Sequence, residues 1–205
     1  MGSSRVPGKA MLDLAGRPLI WRLIDWMRRV EGIGPTVLAT TGDPRNQPMI
    51  EFCADEGVDH IAHPVEDDLA GRIAGAIAGL DGEIILKTGG DCSLIDPGAL
   101  QIMVDRAIAE GDADFVSNRT EWSYPLGRSV DVMSRKSIEW SDANLTSDED
   151  REFLASFVRD NPDHFKVILI VNRVDLSHHG WTVDEPEDVE PLETEKDDEM
   201  IFMEL

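Results

Sequence analysis

The sequence predicts an α/β protein with a mostly parallel, doubly wound sheet, folded as a single domain. Short aliphatic runs alternate with amphipathic segments of helical spacing through residue 117, an order typical of parallel sheets with helices on both faces. A length of 205 residues suits one domain with its own core. Because no repeat or linker splits the chain, we expect one domain over residues 1–190 and an acidic tail over 191–205.

The first half of the chain alternates predicted helices with predicted strands. Apolar residues recur at helical spacing behind Pro18, which suits a first helical turn, and Gly32 and Gly57 suit the ends of helices. The predicted helices cover 18–30, 48–56 and a segment marked by Leu69, Ile73 and Ile77. The predicted strands cover 36–40, 60–62 and 83–87, and the last of these is the clearest central strand.

The second half contains two more helix signals. Asp96 suits a helix N-cap, with Pro97 in the first turn. Ser147 and Asp150 resemble a capping box at the start of a helix that continues through Arg159. The predicted strands of this half cover 115–117, 167–171 and 181–183.

Composition narrows the classes of function. The net charge is -22 at pH 7, and such a surface repels nucleic acid and anionic membranes. No apolar run is long enough for a membrane span, and the start of the chain lacks a secretory signal, so we expect a cytoplasmic protein. Cys53 and Cys92 are too few for a disulfide scaffold, and we expect buried, inert thiols.

The same negative charge would repel a nucleotide, so a nucleotide site here needs local cations and backbone donors. The loop that runs from Gly2 to Lys9 supplies both. Gly2 lets the backbone approach a phosphate, Ser3 and Ser4 add hydroxyl donors, Arg5 offers a guanidinium fork and Lys9 a point charge. The loop lacks the ending of a Walker A motif, and on its own it also fits a surface turn of small residues.

Acidic residues follow two of the predicted strands. Gly90 and Asp91 leave the strand over 83–87, and Asp184 leaves the segment over 181–183. Ligands of parallel sheets bind at the carboxyl ends of strands, where carboxylates and substrate phosphates can hold Mg²⁺. Loop or cap aspartates would give the same pattern.

Two threonines end another predicted strand on the presumed base-binding side. Thr40 and Thr41 would let their hydroxyls bond the edge of a pyrimidine. A turn at the end of the strand explains them equally well.

Motifs in a fixed order support a more specific assignment. The motifs are Gly2–Lys9 (GSSRVPGK), Gly90–Pro97 (GDCSLIDP), Asp175–His178 (DLSH) and Trp181–Asp188 (WTVDEPED). In this order they resemble the signatures of the nucleotide-sugar-forming cytidylyltransferases, most closely the spore-coat polysaccharide branch, which is related to the acylneuraminate and ketodeoxyoctonate activating enzymes. The resemblance covers residues 1 to about 190.

The resemblance implies a nucleotide-diphospho-sugar transferase fold and a reaction. The enzyme would transfer CMP from CTP to a sugar or sugar acid, release pyrophosphate, depend on Mg²⁺ and serve cell-surface polysaccharide synthesis. Arg5, Lys9 and Asp91 would be catalytic, and Asp91 with Asp184 would hold the metal ion. The implied nucleotide-binding residues are Gly2, Ser3, Ser4, Arg5, Lys9, Thr40, Thr41 and Gly90. Whether the chain forms a homodimer is left open.

Several positions depart from the family pattern in the half that should hold the acceptor sugar. The departures are Leu126, Ser129, Asp131, Phe153 and Gly180. Two alternatives therefore stay open at this point. One is a sugar-phosphate uridylyl- or guanylyltransferase of the same fold, and the other is a catalytically silent nucleotide-binding or assembly subunit.

A final expectation concerns the sheet. In the family that this chain resembles, a hydrophobic strand directly precedes the Gly-Ser-Ser-Arg loop and lies centrally in the sheet, whereas here Met1 adjoins the loop. Without that strand, ladder groups on both neighbours would be left unpaired. We therefore expect that the start of the sequence is truncated or that a partner supplies the strand, and that the structure has a gap or widened spacing beside the strand that contains Ile84 to Leu86.

Overall fold

The computed structural model describes residues 8–14, 16–90, 92, 95, 97–119, 123–124, 127 and 130–178. The predicted tail over 191–205, the domain boundary at 190, the strand over 181–183 and the N-cap Asp96 lie outside the described residues. The predicted α/β class is confirmed, with strands and helices alternating along the first half of the chain.

The described chain begins with a short 3-10 helix at Lys9–Met11 and a small antiparallel pair, β1 (Asp13–Leu14) and β2 (Arg17–Pro18). It continues through α1 (Leu19–Arg28), β3 (Val37–Thr41), α2 (Gln47–Asp55), β4 (Asp59–His63), α3 (Leu69–Ile77) and β5 (Ile84–Lys87). The second half contains α4 (Pro97–Glu110), β6 (Phe115–Ser117), β7 (Asp131–Ser134), α5 (Arg135–Asn144), α6 (Asp148–Glu152), α7 (Leu154–Asp160) and β8 (Val167–Leu169).

Besides the β1–β2 pair, the strands form two groups with both parallel and antiparallel neighbours. β3 pairs with β4 in parallel, and a four-stranded sheet has the order β5-β7-β6-β8. β7 is antiparallel to both β5 and β6, while β8 is parallel to β6. β5 and β6 therefore run in the same direction, as predicted, and α4 connects them. The unpredicted strand β7 lies between the two.

Helices cover both faces of the strands, as the doubly wound prediction requires. In β5, Leu86 packs with the cluster formed by α1, α2 and α4, whereas its neighbour Ile85 packs with the cluster formed by α3, α5 and α7. β7 divides in the same way, with Val132 in the first cluster and Met133 in the second. Neighbouring side chains of a strand point to opposite faces, so each buried strand contributes to two cores.

Two predictions about helix boundaries were wrong. Pro18 is the extended N-cap of α1 rather than a residue of its first turn. The helix predicted to continue through Arg159 is interrupted at Phe153, where φ is -100° and ψ is 40°. This break turns the chain so that Leu154 and Val158 of α7 are fully buried, while Ser147 caps α6 through the Asp150 N–H as expected. Tertiary packing thus overrides the continuous helical pattern.

The cysteine prediction is confirmed. Cys53 and Cys92 are both free and buried. Burial raises the pKa of the Cys53 thiol to about 11, so the reactive thiolate is scarce at neutral pH.

A cavity of about 750 Å³ separates the two groups of strands. The cavity is lined by consecutive residues of both strands, Val37 to Ala39 of β3 and Ile84 to Thr88 at and after β5. Because alternate side chains point to opposite faces, a cavity that consecutive residues touch lies along a strand edge. β3 uses its other edge for β4 and β5 uses its other edge for β7. Among the described strands only β7 pairs with β5, so β5 is not paired on both sides as a central strand would be. The gap expected beside Ile84 to Leu86 is therefore seen within the described part of the chain, and the strand or partner expected there stays a prediction.

A partly buried ionic network joins the start of α3 to the helices of the second half. The Asp68 carboxylate accepts hydrogen bonds from the Gly71 N–H and from Arg151 Nε, both at 2.9 Å, and its other oxygen lies 2.9 Å from His63 Nε2. Arg151 also donates to the Asp142 carboxylate at 2.6 Å. Burial alone would raise the pKa of Asp68, but these hydrogen bonds and the Arg151 charge outweigh it and lower the pKa.

We expect Arg151→Gln to lower the free energy of unfolding by about 1–3 kcal/mol, because it leaves partly buried carboxylates without their cation. Arg159→Gln is the matched control, since Arg159 forms its ion pair with the adjacent, exposed Asp160, and we expect a change within about 0.5 kcal/mol. Because the folded pKa of Asp68 is lowered, its contribution is present above its ordinary pKa of about 4 and is lost as pH falls through the folded pKa. Urea unfolding from pH 7 to pH 3 measures both effects. An Arg151→Gln loss that is equal at both ends of this range would contradict the assignment to Asp68.

Candidate functional site

Polar residues gather where the strands of the four-stranded sheet meet one edge. β5 ends at Lys87 and β6 ends at Ser117, and both of these residues are in register with Asp131, the first residue of the antiparallel β7. The carboxyl ends of β5 and β6 therefore lie beside the start of β7. This is the edge at which α/β sheets bind their ligands.

The Asp131 carboxylate organises this edge. It is only 2% exposed, and it accepts a hydrogen bond from Ser117 Oγ at 2.8 Å. Lys87 Nζ lies 3.3 Å and Arg119 Nη1 lies 3.6 Å from its second oxygen. We call Lys87, Ser117, Arg119 and Asp131 the edge cluster. Its two cations and one carboxylate leave one net positive charge.

The edge cluster favours an anion in a chain that otherwise repels anions. The net charge of the whole chain is -22, and the Lys87 and Arg119 pair is a local exception to this negative charge. The side chain of Lys87 is 19% exposed and that of Arg119 is 45% exposed. Both cations therefore contact the buried Asp131 carboxylate and remain accessible to solvent. A phosphate or carboxylate group is the chemistry that such a pair binds best.

The loop that leaves β5 is open and polar. Thr88 Oγ1 is buried and has no hydrogen-bond partner among the described residues. Gly90 is exposed, and a Cβ atom placed there would meet no atom of the described residues within 4 Å. The Cys92 N–H donates to the Gly89 carbonyl at 3.1 Å, which holds the two ends of the loop together. A ligand can therefore approach the backbone of Gly90, but the predicted metal ligand Asp91 lies outside the described residues.

Only the end of the predicted phosphate loop is described. Gly8 has a φ of 75°, which suits glycine, and Lys9 begins the 3-10 helix that follows. Ala10 and Met11 pack into the core with α1, so the end of the loop is anchored next to the sheet. Gly2, Ser3, Ser4, Arg5 and the partner carboxylate Asp184 lie outside the described residues.

The two threonines at the end of β3 differ in their surroundings. Thr40 is only 6% exposed. The Thr41 hydroxyl accepts a hydrogen bond from Asn46 Nδ2 at 2.9 Å, and its carbonyl accepts from the same amide at 3.1 Å. The structure thus gives Thr41 the role of a strand-terminal turn residue, while binding of a pyrimidine by either hydroxyl stays a prediction.

Sequence reasoning missed most of the edge cluster. Asp131 was noted only as a departure in the acceptor half, and Lys87 only as the last residue of a strand. The sequence offered two signals, a lysine at the end of a strand and an aspartate at the start of another. Lys87 and Asp131 are 44 positions apart, and no sequence pattern indicates that they are in contact. Within the described ranges, no three His, Cys, Asp or Glu side chains are grouped to hold a metal ion. The predicted Mg²⁺ site at Asp91 and Asp184 stays a prediction.

The fold is that of an α/β protein with a cationic cluster at the carboxyl ends of two of its strands. The family model described as cytidylyltransferase matches residues 1–153, and the chain belongs to this family. A solved cytidylyltransferase from Leptospira borgpetersenii has a TM-score of 0.86 and 26% identity, over 94% of this chain and 81% of that one. The resemblance inferred from the motifs is therefore confirmed.

Two curated relatives are similar to this chain over different lengths. The spore coat polysaccharide biosynthesis protein SpsF of Bacillus subtilis is 23% identical over 200 residues, covering 94% of this chain and 81% of that protein. The 3-deoxy-manno-octulosonate cytidylyltransferase of Trichlorobacter lovleyi is 35% identical over 108 residues, covering 52% of this chain and 40% of that enzyme. The match thus spans less than half the length of the latter enzyme. None of the helices in the described ranges is long and apolar enough to cross a membrane.

We expect Asp131→Asn to lower the free energy of unfolding by about 1–3 kcal/mol. The substitution keeps the shape but leaves the Lys87 ammonium partly buried without its carboxylate. Asp112→Asn is the matched control, because Asp112 is exposed, and we expect a change within about 0.5 kcal/mol. Chemical denaturation of both variants measures the difference. Equal stability of the two variants would show that Asp131 does not hold the cations of the edge cluster.

Proposed function

We propose that this chain transfers CMP from CTP to a sugar or sugar acid, with release of pyrophosphate, in the synthesis of cell-surface polysaccharide. The observation that carries the proposal is the cytidylyltransferase match over residues 1–153, combined with an open glycine loop and a cationic cluster at one sheet edge. The names of the relatives from Bacillus and Trichlorobacter support polysaccharide synthesis and a sugar-acid acceptor.

The phosphate loop and the edge carry different parts of the substrates in this proposal. Arg5 and Lys9 bind the triphosphate, and the backbone at Gly2 and Gly90 lets phosphate oxygens approach closely. A hydroxyl of the acceptor attacks the α-phosphorus in line with the departing pyrophosphate. Because the bond change needs mainly alignment and charge neutralisation, positioned cations supply most of the catalysis.

The predicted Mg²⁺ suits the donors near the β5 loop. Hard carboxylate oxygens together with phosphate oxygens are the ligands that Mg²⁺ prefers. Asp91 and Asp184 would hold the ion. When bound, it would neutralise charge on the triphosphate.

The edge cluster supports an acidic acceptor. Lys87 and Arg119, held by Asp131, offer one net positive charge at the carboxyl ends of the strands. A sugar acid carries a carboxylate that could pair with them, whereas a neutral sugar would leave both cations bound only to Asp131. We therefore favour a sugar acid over a neutral sugar.

The nucleotide is tested by thermal or chemical unfolding in the presence of CTP, UTP, GTP and ATP, each with and without Mg²⁺. At about 100 times its dissociation constant, CTP with Mg²⁺ should stabilise the fold by about 2.7 kcal/mol. A larger effect of UTP or GTP would reassign the base. Absence of any effect in a folded, full-length sample would reject nucleotide binding.

The metal ligands are tested by Asp91→Asn, which keeps the shape of the side chain but removes a hard anion. We expect at least about a hundredfold loss of pyrophosphate release with the fold retained, and a smaller but clear loss for Asp184→Asn. Asp163→Asn is the matched control, because Asp163 is exposed and lies outside the site. Turnover of Asp91→Asn near that of the control would exclude this carboxylate as a required ligand.

A further inference from the structure

The outward side of α1 is positively charged and aromatic. Leucine and isoleucine occupy the core-facing positions of this helix, and they are buried. Residues 17–29 contain four of the 19 basic residues of the chain and a single acidic residue, whereas the whole chain has a net charge of -22. The cationic and aromatic side chains of this segment form what we call the α1 outer face: Arg17, Trp21, Arg22, Trp26, Arg28 and Arg29.

Guanidinium groups stack on both indole rings of this face. Arg17 Cζ lies 4.9 Å and Arg22 Cζ lies 5.4 Å from the centre of the Trp21 ring, and Arg29 Cζ lies 4.5 Å from that of Trp26. Stacking restricts these long side chains before any partner binds. The side chains of Arg17 and Arg29 are still 50% and 56% exposed. A stacked guanidinium keeps its in-plane N–H donors, so it can still bind a carboxylate in the forked manner.

The α1 outer face carries more cations than the carboxylates that pair with it. Arg29 pairs with Asp25 at 2.6 Å, and Arg17 pairs with Glu56 at 3.3 Å. Arg28 Nη2 instead donates to the backbone carbonyl of Glu56 at 2.9 Å, and a carbonyl fixes a guanidinium without cancelling its charge. The four arginines of the face outnumber these two carboxylates, so the face favours further carboxylates.

We propose that the α1 outer face is the docking surface for the C-terminal segment of the same chain, residues 190–205. Residues 190–199 contain six carboxylates and one lysine, and five of the six residues that follow them are apolar. The carboxylates would bind the arginine forks, and the apolar end would cover the indole rings. Tryptophan and arginine are the residues that contribute most to binding in protein interfaces. This contact uses none of the residues to which the proposed function assigns a role.

The route of the chain makes this contact feasible within one molecule. Ile168 and Ile170 pack in the core cluster that includes α1, so the chain approaches the end of its described part on the α1 side of the sheet. Residues 179–189 span up to about 35 Å when extended, whereas the radius of gyration of a domain of this size is about 17 Å. Tethering also gives an effective concentration of about millimolar, which populates a contact that would be weak between separate molecules.

The contact is tested in the full chain with a bimane fluorophore on a cysteine introduced by Met203→Cys, because tryptophan quenches bimane on contact. Cys53 and Cys92 are buried, and the unsubstituted chain treated in the same way measures any labelling of them. Combining Trp21→Phe with Trp26→Phe removes the proposed quenchers, and we expect the fluorescence to rise at least about twofold. Trp140→Phe is the matched control and should leave the fluorescence unchanged.

Charge reversal tests the arginine contacts. Arg28→Glu combined with Arg29→Glu should release the segment and raise the fluorescence to the level that the parent chain reaches in about 1 M salt. Arg106→Glu combined with Lys136→Glu is the control, because both residues are exposed and the change in net charge is the same. The control should stay quenched.

A reversed C-terminal segment provides the complementary arm. Glu193→Lys, Glu195→Lys and Asp197→Lys together should release the segment from the unaltered α1 outer face. The same three substitutions combined with the reversed α1 outer face should restore quenching, which a merely indirect effect on α1 would not do. If the α1 variants do not fold, this segment variant decides alone, since its substitutions lie outside the described residues.

Three results would overturn the inference. One is quenching that both the tryptophan and the charge-reversal variants retain, or that the reversed segment retains. Another is quenching that increases with protein concentration, which would assign the segment to a second copy. The third is quenching that Arg119→Glu abolishes and the α1 variants retain, which would assign the segment to the edge cluster. The measurements use no nucleotide, so their outcome does not depend on whether CTP is the substrate.

Discussion

The inner edges of β3 and β5, with which no described strand pairs, are the constraint on which the rest of this architecture depends. Strands buried between two helical layers need partners for their backbone groups, since water cannot replace them without entering the core. In the described chain, β4 and β7 satisfy the outer edges while the inner edges face a cavity of about 750 Å³. Residues of α1 and α3 line this cavity, and the two helices belong to core clusters on opposite faces of the strands.

The same part of the sheet places the candidate site. β5 borders the cavity along one edge and leads into the Gly90 loop at its carboxyl end. Its last residue, Lys87, lies between that loop and the buried Asp131. The position of the β5 backbone beside the cavity therefore also determines the position of Lys87 in the edge cluster. In a chain with a net charge of -22, such local organisation of cations is what makes anion binding feasible.

Sequence patterns predicted most elements, and the exceptions have specific causes. Helical spacing located α1 to α4 because their apolar faces repeat within one segment. β7 escaped prediction because it is short and begins with the charged Asp131, whose burial depends on Ser117, Lys87 and Arg119 from other strands. The break at Phe153 escaped prediction for a similar reason, since the burial of Leu154 and Val158 is decided by packing against distant residues.

The sequence by itself determined the α/β class, the order of strands and helices, the family through its ordered motifs, and the expectation of a gap beside Ile84 to Leu86. These properties depend on local periodicity and on short motifs, which a single segment contains in full. Only the tertiary structure decided that β7 inserts between β5 and β6, and that Lys87 and Arg119 share one buried carboxylate. It also decided that β3 and β5 face each other across one cavity. Such juxtapositions join residues that are far apart in the chain, and burial and backbone pairing across the whole sheet select them.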